Sequence, residues 1–156
     1  MDKESKIRVL YVDDEENNLI SFKATFRKHY KVFTALNGID ALKILNEEKI
    51  HVIITDQRMP EMTGVEFLKE VLKFNEESIR VLLTGYADID ALSSAVNECQ
   101  IYHYLKKPWD EEELHRIIEN GYQLYLKNEI NEKLSKKLED SYEQIALLKK
   151  ENRSKE

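Results

Sequence analysis

The sequence is poor in residues that cross-link or interrupt a chain, with one cysteine, two prolines and four glycines in 156 residues. Because Cys99 has no second cysteine to pair with, no disulfide can form within the chain, which is typical of a reducing cytoplasm. No apolar run approaches the roughly 20 residues of a membrane span, and the N-terminus lacks the apolar core of a signal peptide. The net charge of −6 offers no basic surface to nucleic acid. These absences favour a soluble cytoplasmic protein.

Five short β-rich runs are spaced along the first two thirds of the chain. They are nearly continuous in hydrophobicity, as strands buried on both faces are. The predicted strands are Ile7–Val12, Lys31–Ala35, His51–Thr55, Ile79–Leu83 and Ile101–Leu105.

Between these runs, apolar residues recur at the spacing of an amphipathic helix. The series are Leu19, Phe22 and Phe26; Ile39, Leu42 and Leu45; Val65, Leu68 and Leu72; and Ile89, Leu92, Val96 and Cys99. Five βα units with right-handed crossovers predict an α/β fold with a doubly wound parallel sheet, covered by helices on both faces.

The last helical pattern is much longer than the others. Asp110 and Glu113 form a capping box at its start, and no proline follows as far as about Asn152. A heptad frame places apolar or asparagine side chains at most of its inner positions. These are Leu124, Asn131, Leu134, Leu138, Ile145 and Leu148, with Lys127 and Ser141 as exceptions. The pattern predicts a domain over residues 1–126 and a helical, coiled-coil extension of the fifth helix over residues 127–156.

Four of the predicted strands end in residues that phosphate chemistry uses. Asp13 and Asp14 follow the first strand, Asp56 the third, Thr84 the fourth and Lys107 the fifth. In an open α/β sheet, side chains just past the strand ends meet in one crevice. Neighbouring carboxylates repel one another, and Mg²⁺ would relieve that repulsion. A carboxylate can also attack phosphorus to give an acyl phosphate, so the set predicts a magnesium-assisted phosphoryl-transfer site.

Several longer motifs surround these residues. They are Val-Asp-Asp-Glu at 12–15, Ile-Thr-Asp-Gln-Arg-Met-Pro at 54–60, Met-Thr-Gly-Val-Glu-Phe-Leu at 62–68, Leu-Thr-Gly-Tyr at 83–86 and Tyr-Leu-Lys-Lys-Pro-Trp at 104–109. Through them, residues from about 6 to 125 resemble the receiver domain of two-component response regulators. The resemblance implies a flavodoxin-like, five-stranded sheet with strand order 2-1-3-4-5.

The resemblance also implies a role for each site residue. Asp56 would accept a phosphoryl group from a sensor histidine kinase or a phosphotransfer protein. Asp13, Asp14, Asp56 and the backbone carbonyl of Arg58 would hold Mg²⁺, for which Mn²⁺ could substitute. The protein would then be a regulatory phosphoacceptor with slow autodephosphorylation, and not an enzyme acting on other molecules.

Three further residues would bind the phosphoryl group or respond to it. Thr84 corresponds to the switch hydroxyl and Tyr104 to the switch aromatic of receivers. Lys107, which directly precedes Pro108, corresponds to the family lysine, and Lys106 occupies a variable position. The signal would pass through the Tyr104 face and the C-terminal helix.

Two other functions use similar residues. A haloacid-dehalogenase-type phosphotransferase also uses a strand-end aspartate with Mg²⁺, but it needs an acid two residues later, where this chain has Arg58. A flavin or nucleotide binder needs a Gly- or Ser/Thr-rich loop after the first strand, and four acidic residues from Asp13 to Glu16 would repel a phosphate there.

The tail leaves alternatives open. The chain could be a stand-alone receiver that forms a parallel homodimer through the extended helix, or the front of a longer regulator whose output domain follows. A partly ordered tail is a third alternative. The sequence does not separate the three.

Overall fold

Residues 5–85 and 92–155, apart from the side chain of Ser94, are described by a computed structural model of the chain. Strands and helices alternate along them. The strands are β1 (Arg8–Val12), β2 (Lys31–Ala35), β3 (Val52–Asp56), β4 (Ile79–Thr84) and β5 (His103–Lys106). The helices are α1 (Glu16–Phe26), α2 (Gly38–Glu47), α3 (Gly64–Leu72), α4 (Ser93–Glu98) and α5 (Glu111–Ser154). Two residues named from sequence, Tyr86 and Ile89, lie outside these ranges.

The five strands form one parallel sheet in the order β2-β1-β3-β4-β5. This confirms the predicted α/β fold and its strand order. Every residue of β3 and β4 is buried, as their continuous hydrophobicity predicted. Because all strands run the same way, their carboxyl ends meet at one edge of the sheet. That edge carries the predicted site.

The strand boundaries differ slightly from the predicted ones. β3 and β4 each run one residue further than predicted, so Asp56 and Thr84 are the last residues of their strands. β5 begins at His103 rather than at Ile101. The reason is the turn after α4. Gln100 in this turn has a φ of 50°, which is not a strand conformation, so the strand can begin only after it.

The sheet separates two apolar layers. Side chains alternate along β1, so that Leu10 and Val12 join the core on the side of α2 and α3. Tyr11 points to the opposite side, where its ring stacks on Phe22 of α1 at 4.2 Å between ring centroids. The predicted apolar face of α1 is confirmed, since Leu19, Phe22 and Phe26 are all buried.

One predicted helix face is wrong in part. Ile39 was expected on the apolar face of α2, but 50% of its surface is exposed. The face that α2 buries instead begins at Gly38 and continues through Ala41 and Leu45. Gly38 packs closely against the loop before α3, since a Cβ there would lie 2.5 Å from the Met62 sulfur. This close contact turns the adjacent Ile39 toward solvent.

The helix α5 starts at the predicted N-cap: Oδ2 of Asp110 accepts a hydrogen bond from the backbone N–H of Glu113 at 3.0 Å. The chain divides into two compact units, Met1–Tyr125 and Leu126–Glu156. The second unit is helical to Ser154, and each of its described residues from 130 onward is exposed. Among the described residues, no helix is long and apolar enough to cross a bilayer.

Candidate functional site

Three carboxylates converge at the carboxyl edge of the sheet. Asp13 directly follows β1 and Asp56 ends β3, and these strands are neighbours in the sheet. Oxygens of Asp13, Asp14 and Asp56 lie within 4.8 Å of one another. Asp13 is completely buried and Asp56 is 6% exposed, whereas Asp14 lies at the surface. The sequence prediction that these three residues meet is therefore matched by the geometry.

Lys107 provides the positive charge at this cluster. Its ammonium donates to Oδ2 of Asp56 at 2.7 Å and to Oδ2 of Asp13 at 3.3 Å. Lys107 follows β5, and its backbone N–H bonds the Thr84 carbonyl at 3.0 Å, which fixes the turn beside β4. The Lys107–Pro108 peptide bond is cis. The ammonium thus bridges the two buried carboxylates.

Burial and neighbouring charges shift the pKa values of Asp56 and Lys107. Burial raises the pKa of Asp56 above its ordinary value, Lys107 opposes this change and Asp13 adds to it. For Lys107, burial acts to lower the pKa, but the hydrogen bond and charge of Asp56, with those of Asp13, outweigh burial and raise it. Lys107 is therefore an ammonium at neutral pH.

Asp13 has several hydrogen-bond donors that the sequence did not point to. Its Oδ1 accepts from the backbone N–H of Glu15 at 3.0 Å. Its Oδ2 accepts from the Tyr11 hydroxyl at 3.0 Å and from the Asn18 carboxamide at 3.1 Å. The available signal for Tyr11 was its position two residues before Asp13 on β1, which places both side chains on one face of the strand.

Thr84 and Tyr104 lie on the adjacent strands β4 and β5. Thr84 is buried at the end of β4, and its hydroxyl donates to the carbonyl of Gly85 at 3.3 Å. Tyr104 pairs with Leu82 of β4 in the sheet, and its side chain is 46% exposed. No hydrogen bond among the described residues joins either side chain to the carboxylates.

The loop after β3 forms the rim of the site. Arg58 is exposed, and it shares with Asp14 the lining of a cavity of about 390 Å³. Gly64, at the start of α3, is the glycine that this arrangement requires. A Cβ there would lie 2.4 Å from the backbone oxygen of Asp56, whereas a Cβ at Gly85 would meet no atom of the described residues within 4 Å.

The donor set fits a divalent cation. The three carboxylates are balanced by the Lys107 ammonium alone in the ion pairs that the described residues form with them, which leaves the cluster with an excess of negative charge there. Hard oxygen ligands of this kind suit Mg²⁺. Asp14 is at the surface and leaves the cluster open to solvent on one side.

The family model described as the response regulator receiver domain matches residues 9–119. The chain belongs to this family. Receivers use Mg²⁺, and this receiver has an acidic cluster of Asp13, Asp14 and Asp56. No comparison supports the haloacid-dehalogenase alternative.

Relatives of this receiver are regulators of several kinds. It is 35% identical over 117 residues to the hydrogenase transcriptional regulatory protein HoxA of Bradyrhizobium diazoefficiens, covering 75% of this chain and 24% of that protein. It is 33% identical over 109 residues to sporulation initiation phosphotransferase F of Bacillus subtilis, covering 69% of this chain and 86% of that protein. The chain therefore spans about a quarter of the length of HoxA.

Solved structures confirm the fold. A CheY-like response regulator receiver domain protein from Methanospirillum hungatei superimposes with a TM-score of 0.74 at 26% sequence identity. The match covers 80% of this chain and 99% of that structure. The resemblance inferred from the motifs is confirmed by family, relatives and fold alike.

Proposed function

We propose that this receiver accepts a phosphoryl group on Asp56 from a sensor histidine kinase or a phosphotransfer protein. The observation that carries the proposal is the bridge of Lys107 to Asp56 and Asp13 beside the third carboxylate, Asp14. A carboxylate oxygen of Asp56 bonds to phosphorus as the P–N bond of the phosphohistidine breaks. The electron pair of that bond stays on the imidazole nitrogen, which takes up a proton.

Asp13, Asp14, Asp56 and the Arg58 backbone carbonyl would hold Mg²⁺ in this proposal, and Mn²⁺ could substitute. When bound, the ion would neutralise charge on the phosphoryl oxygens. The need for a counter-ion follows from the crowding of the three carboxylates. Asp13 and Asp56 are buried, whereas Asp14 is exposed at the solvent side of the cluster.

Lys107 and Thr84 would contact the oxygens of the attached phosphoryl group. The Lys107 ammonium already lies on Asp56, so it has only to transfer its hydrogen bond to the adjacent phosphoryl oxygen. Thr84 would exchange its bond to the Gly85 carbonyl for one to the phosphoryl group. Tyr104, which is half-exposed, would then move inward beside Thr84 and alter the face it lies on.

The protein is proposed to be a regulatory phosphoacceptor that processes no other substrate. Its partners would be the phosphoryl donor and a second copy of the chain, with no direct contact to nucleic acid or membrane. The phosphoryl relay would occupy residues 1–126, and residues 127–156 would form the coiled-coil extension. The cytoplasmic location expected from the sequence stays a prediction.

We also propose that the tail forms a homodimer. A second copy would cover the apolar seam of the long helix, in which Leu134, Leu138, Ile145 and Leu148 are exposed in one chain. The seam residues are Leu124, Asn131, Leu134, Leu138, Ile145 and Leu148. Asparagine at an inner position favours two parallel helices in register. The tail would then carry the signal from the Tyr104 face.

The phosphorylation proposal is tested by intact-mass spectrometry after incubation with acetyl phosphate and Mg²⁺. The wild-type chain should gain one phosphoryl group and the Asp56→Asn variant none. Asp140→Asn makes the same chemical change at an exposed position of the tail and should behave as wild type. An equal adduct on the Asp56→Asn variant would overturn the assignment of the acceptor.

A further inference from the structure

The Tyr11 hydroxyl enters the acidic cluster from inside the protein. It donates to Oδ2 of Asp13 at 3.0 Å, and neither residue has any solvent exposure. A fully buried carboxylate has to be satisfied by protein donors. The other donors to Asp13 are the Glu15 N–H, the Asn18 carboxamide and, at a longer 3.3 Å, the Lys107 ammonium.

The ring of Tyr11 is held so that its hydroxyl cannot turn away. It stacks on Phe22 with 4.2 Å between centroids and 5° between the ring planes. Phe22 in turn meets Trp109 edge-on at 6.0 Å. Through Phe22, the Tyr11 ring therefore belongs to the same aromatic layer as Trp109, which lies two residues after Lys107.

We propose that Tyr11 is a positioning residue of the phosphorylation site, whose hydroxyl holds the Asp13 carboxylate in place for the divalent cation. The inference rests on the proposed function. In that function Lys107 leaves the carboxylates for the phosphoryl group, so Asp13 loses one donor at the moment of reaction. Tyr11, Asn18 and the Glu15 N–H remain, and Tyr11 is the one anchored in the buried aromatic layer.

In the hydrogen bond with Asp13 the Tyr11 hydroxyl is the donor, because an ionised carboxylate oxygen can only accept. Phenylalanine at position 11 would fill the same space, but Oδ2 of Asp13 would then lose one hydrogen-bond donor.

Tyr11→Phe tests this inference, with Tyr30→Phe as the matched control. Tyr30 is also buried, at 2% exposure, but its hydroxyl bonds His115 and Glu119 instead of the acidic cluster. Both variants remove one oxygen from a buried ring. Calorimetry would give the Mg²⁺ affinity of each protein, and intact mass would give its phosphorylation by acetyl phosphate across a Mg²⁺ series. Thermal unfolding without metal would report any general loss of stability.

Tyr11→Phe should weaken Mg²⁺ binding by about tenfold, as the loss of an outer-shell hydrogen bond does at metal sites. Half-saturation of phosphorylation should move to higher Mg²⁺ by the same factor, and Tyr30→Phe should match wild type in both. Equal Mg²⁺ affinity in wild type and Tyr11→Phe would overturn the inference, as would an equal loss in Tyr30→Phe. If wild type binds Mg²⁺ more tightly than Tyr11→Phe but is not phosphorylated, the proposed function fails and the positioning role stands.

Discussion

The ammonium of Lys107 lies 2.7 Å from Oδ2 of Asp56, although the two residues are 51 positions apart in the sequence. The contact arises because β3 and β5 end at the same edge of the parallel sheet. The same ammonium reaches Asp13, so one cation serves two buried carboxylates. The third carboxylate, Asp14, lies within 4.8 Å of both.

Asp56→Asn should stabilise the protein at neutral pH in the absence of metal. Burial raises the pKa of Asp56, so between its ordinary and its raised pKa the native state binds more protons than the unfolded state. The free energy of unfolding therefore falls as the pH rises through that window, and an uncharged side chain avoids this loss. Thermal unfolding in EDTA at pH 7 should show a midpoint higher by roughly 2–8 °C, the equivalent of about 1 kcal/mol.

This difference should shrink toward about pH 4, where Asp56 is increasingly protonated in both states. Asp140→Asn, on the exposed tail, should leave the midpoint unchanged at either pH. A variant that is less stable than wild type at pH 7 would contradict the prediction. It would mean that the hydrogen bond from Lys107 outweighs the burial of the Asp56 charge.

Mg²⁺ should raise the unfolding midpoint of the wild-type chain, because an ion that binds only the native state stabilises it. At ten times its Kd the ion would add about 1.4 kcal/mol. Asp14→Ala should remove most of the effect, since it deletes the exposed carboxylate of the cluster. Trp109 fluorescence offers a second readout, and EDTA should reverse both. An undiminished response in Asp14→Ala would place the ion elsewhere.

Phosphorylation should reduce the solvent exposure of Tyr104, which is 46% in this structure. The change depends on the Thr84 hydroxyl leaving the Gly85 carbonyl. Thr84→Ala should therefore still accept a phosphoryl group but lose the response of Tyr104, and Thr84→Ser should restore it. Amide hydrogen exchange around β5 measures this response. Changes confined to α2 in the phosphorylated protein would show that Thr84 and Tyr104 are not the switch.

Leu138→Lys should dissociate the proposed dimer, because it puts a charge at an inner heptad position. Leu147→Lys is the matched control, since Leu147 is on the same helix and is similarly exposed, at 61% against 55%, but lies outside the seam. Sedimentation equilibrium should show a monomer for the first variant and a dimer for the second. A chain ending at Lys127 should also be monomeric. Wild type that is monomeric at tens of micromolar would remove the tail from the mechanism.

Much of the fold could be predicted from the sequence because its signals are local. Continuous hydrophobicity marked the buried strands, and the strand-end position of Asp13, Asp56 and Lys107 predicted their meeting, since parallel topology brings strand ends together. The contact of Asp13 with Asn18 could not be predicted as firmly. It depends on how α1 packs on the sheet, and no spacing in the sequence fixes that.

Other features depend on tertiary packing for the same reason. Arg80 is buried in β4. In the hydrogen bonds of the described residues, its guanidinium donates to backbone carbonyls, including those of Cys99 and Gln100 after α4. The position of Arg80 inside an apolar run did not predict that its side chain would hydrogen-bond the carbonyls of this turn. The exposure of Ile39 was likewise set by the contact between Gly38 and Met62, which lie in different βα units.

The most direct test of the central claim is to locate the phosphoryl group chemically. Borohydride reduces an aspartyl phosphate to homoserine, so the modified residue can be read from peptide masses after phosphorylation by acetyl phosphate with Mg²⁺. Homoserine should appear at position 56 alone, and in no peptide of the Asp56→Asn variant. Homoserine at Asp13 or Asp14, or a phosphorylated chain in which Asp56 remains an aspartate, would contradict the assignment of Asp56 as the acceptor.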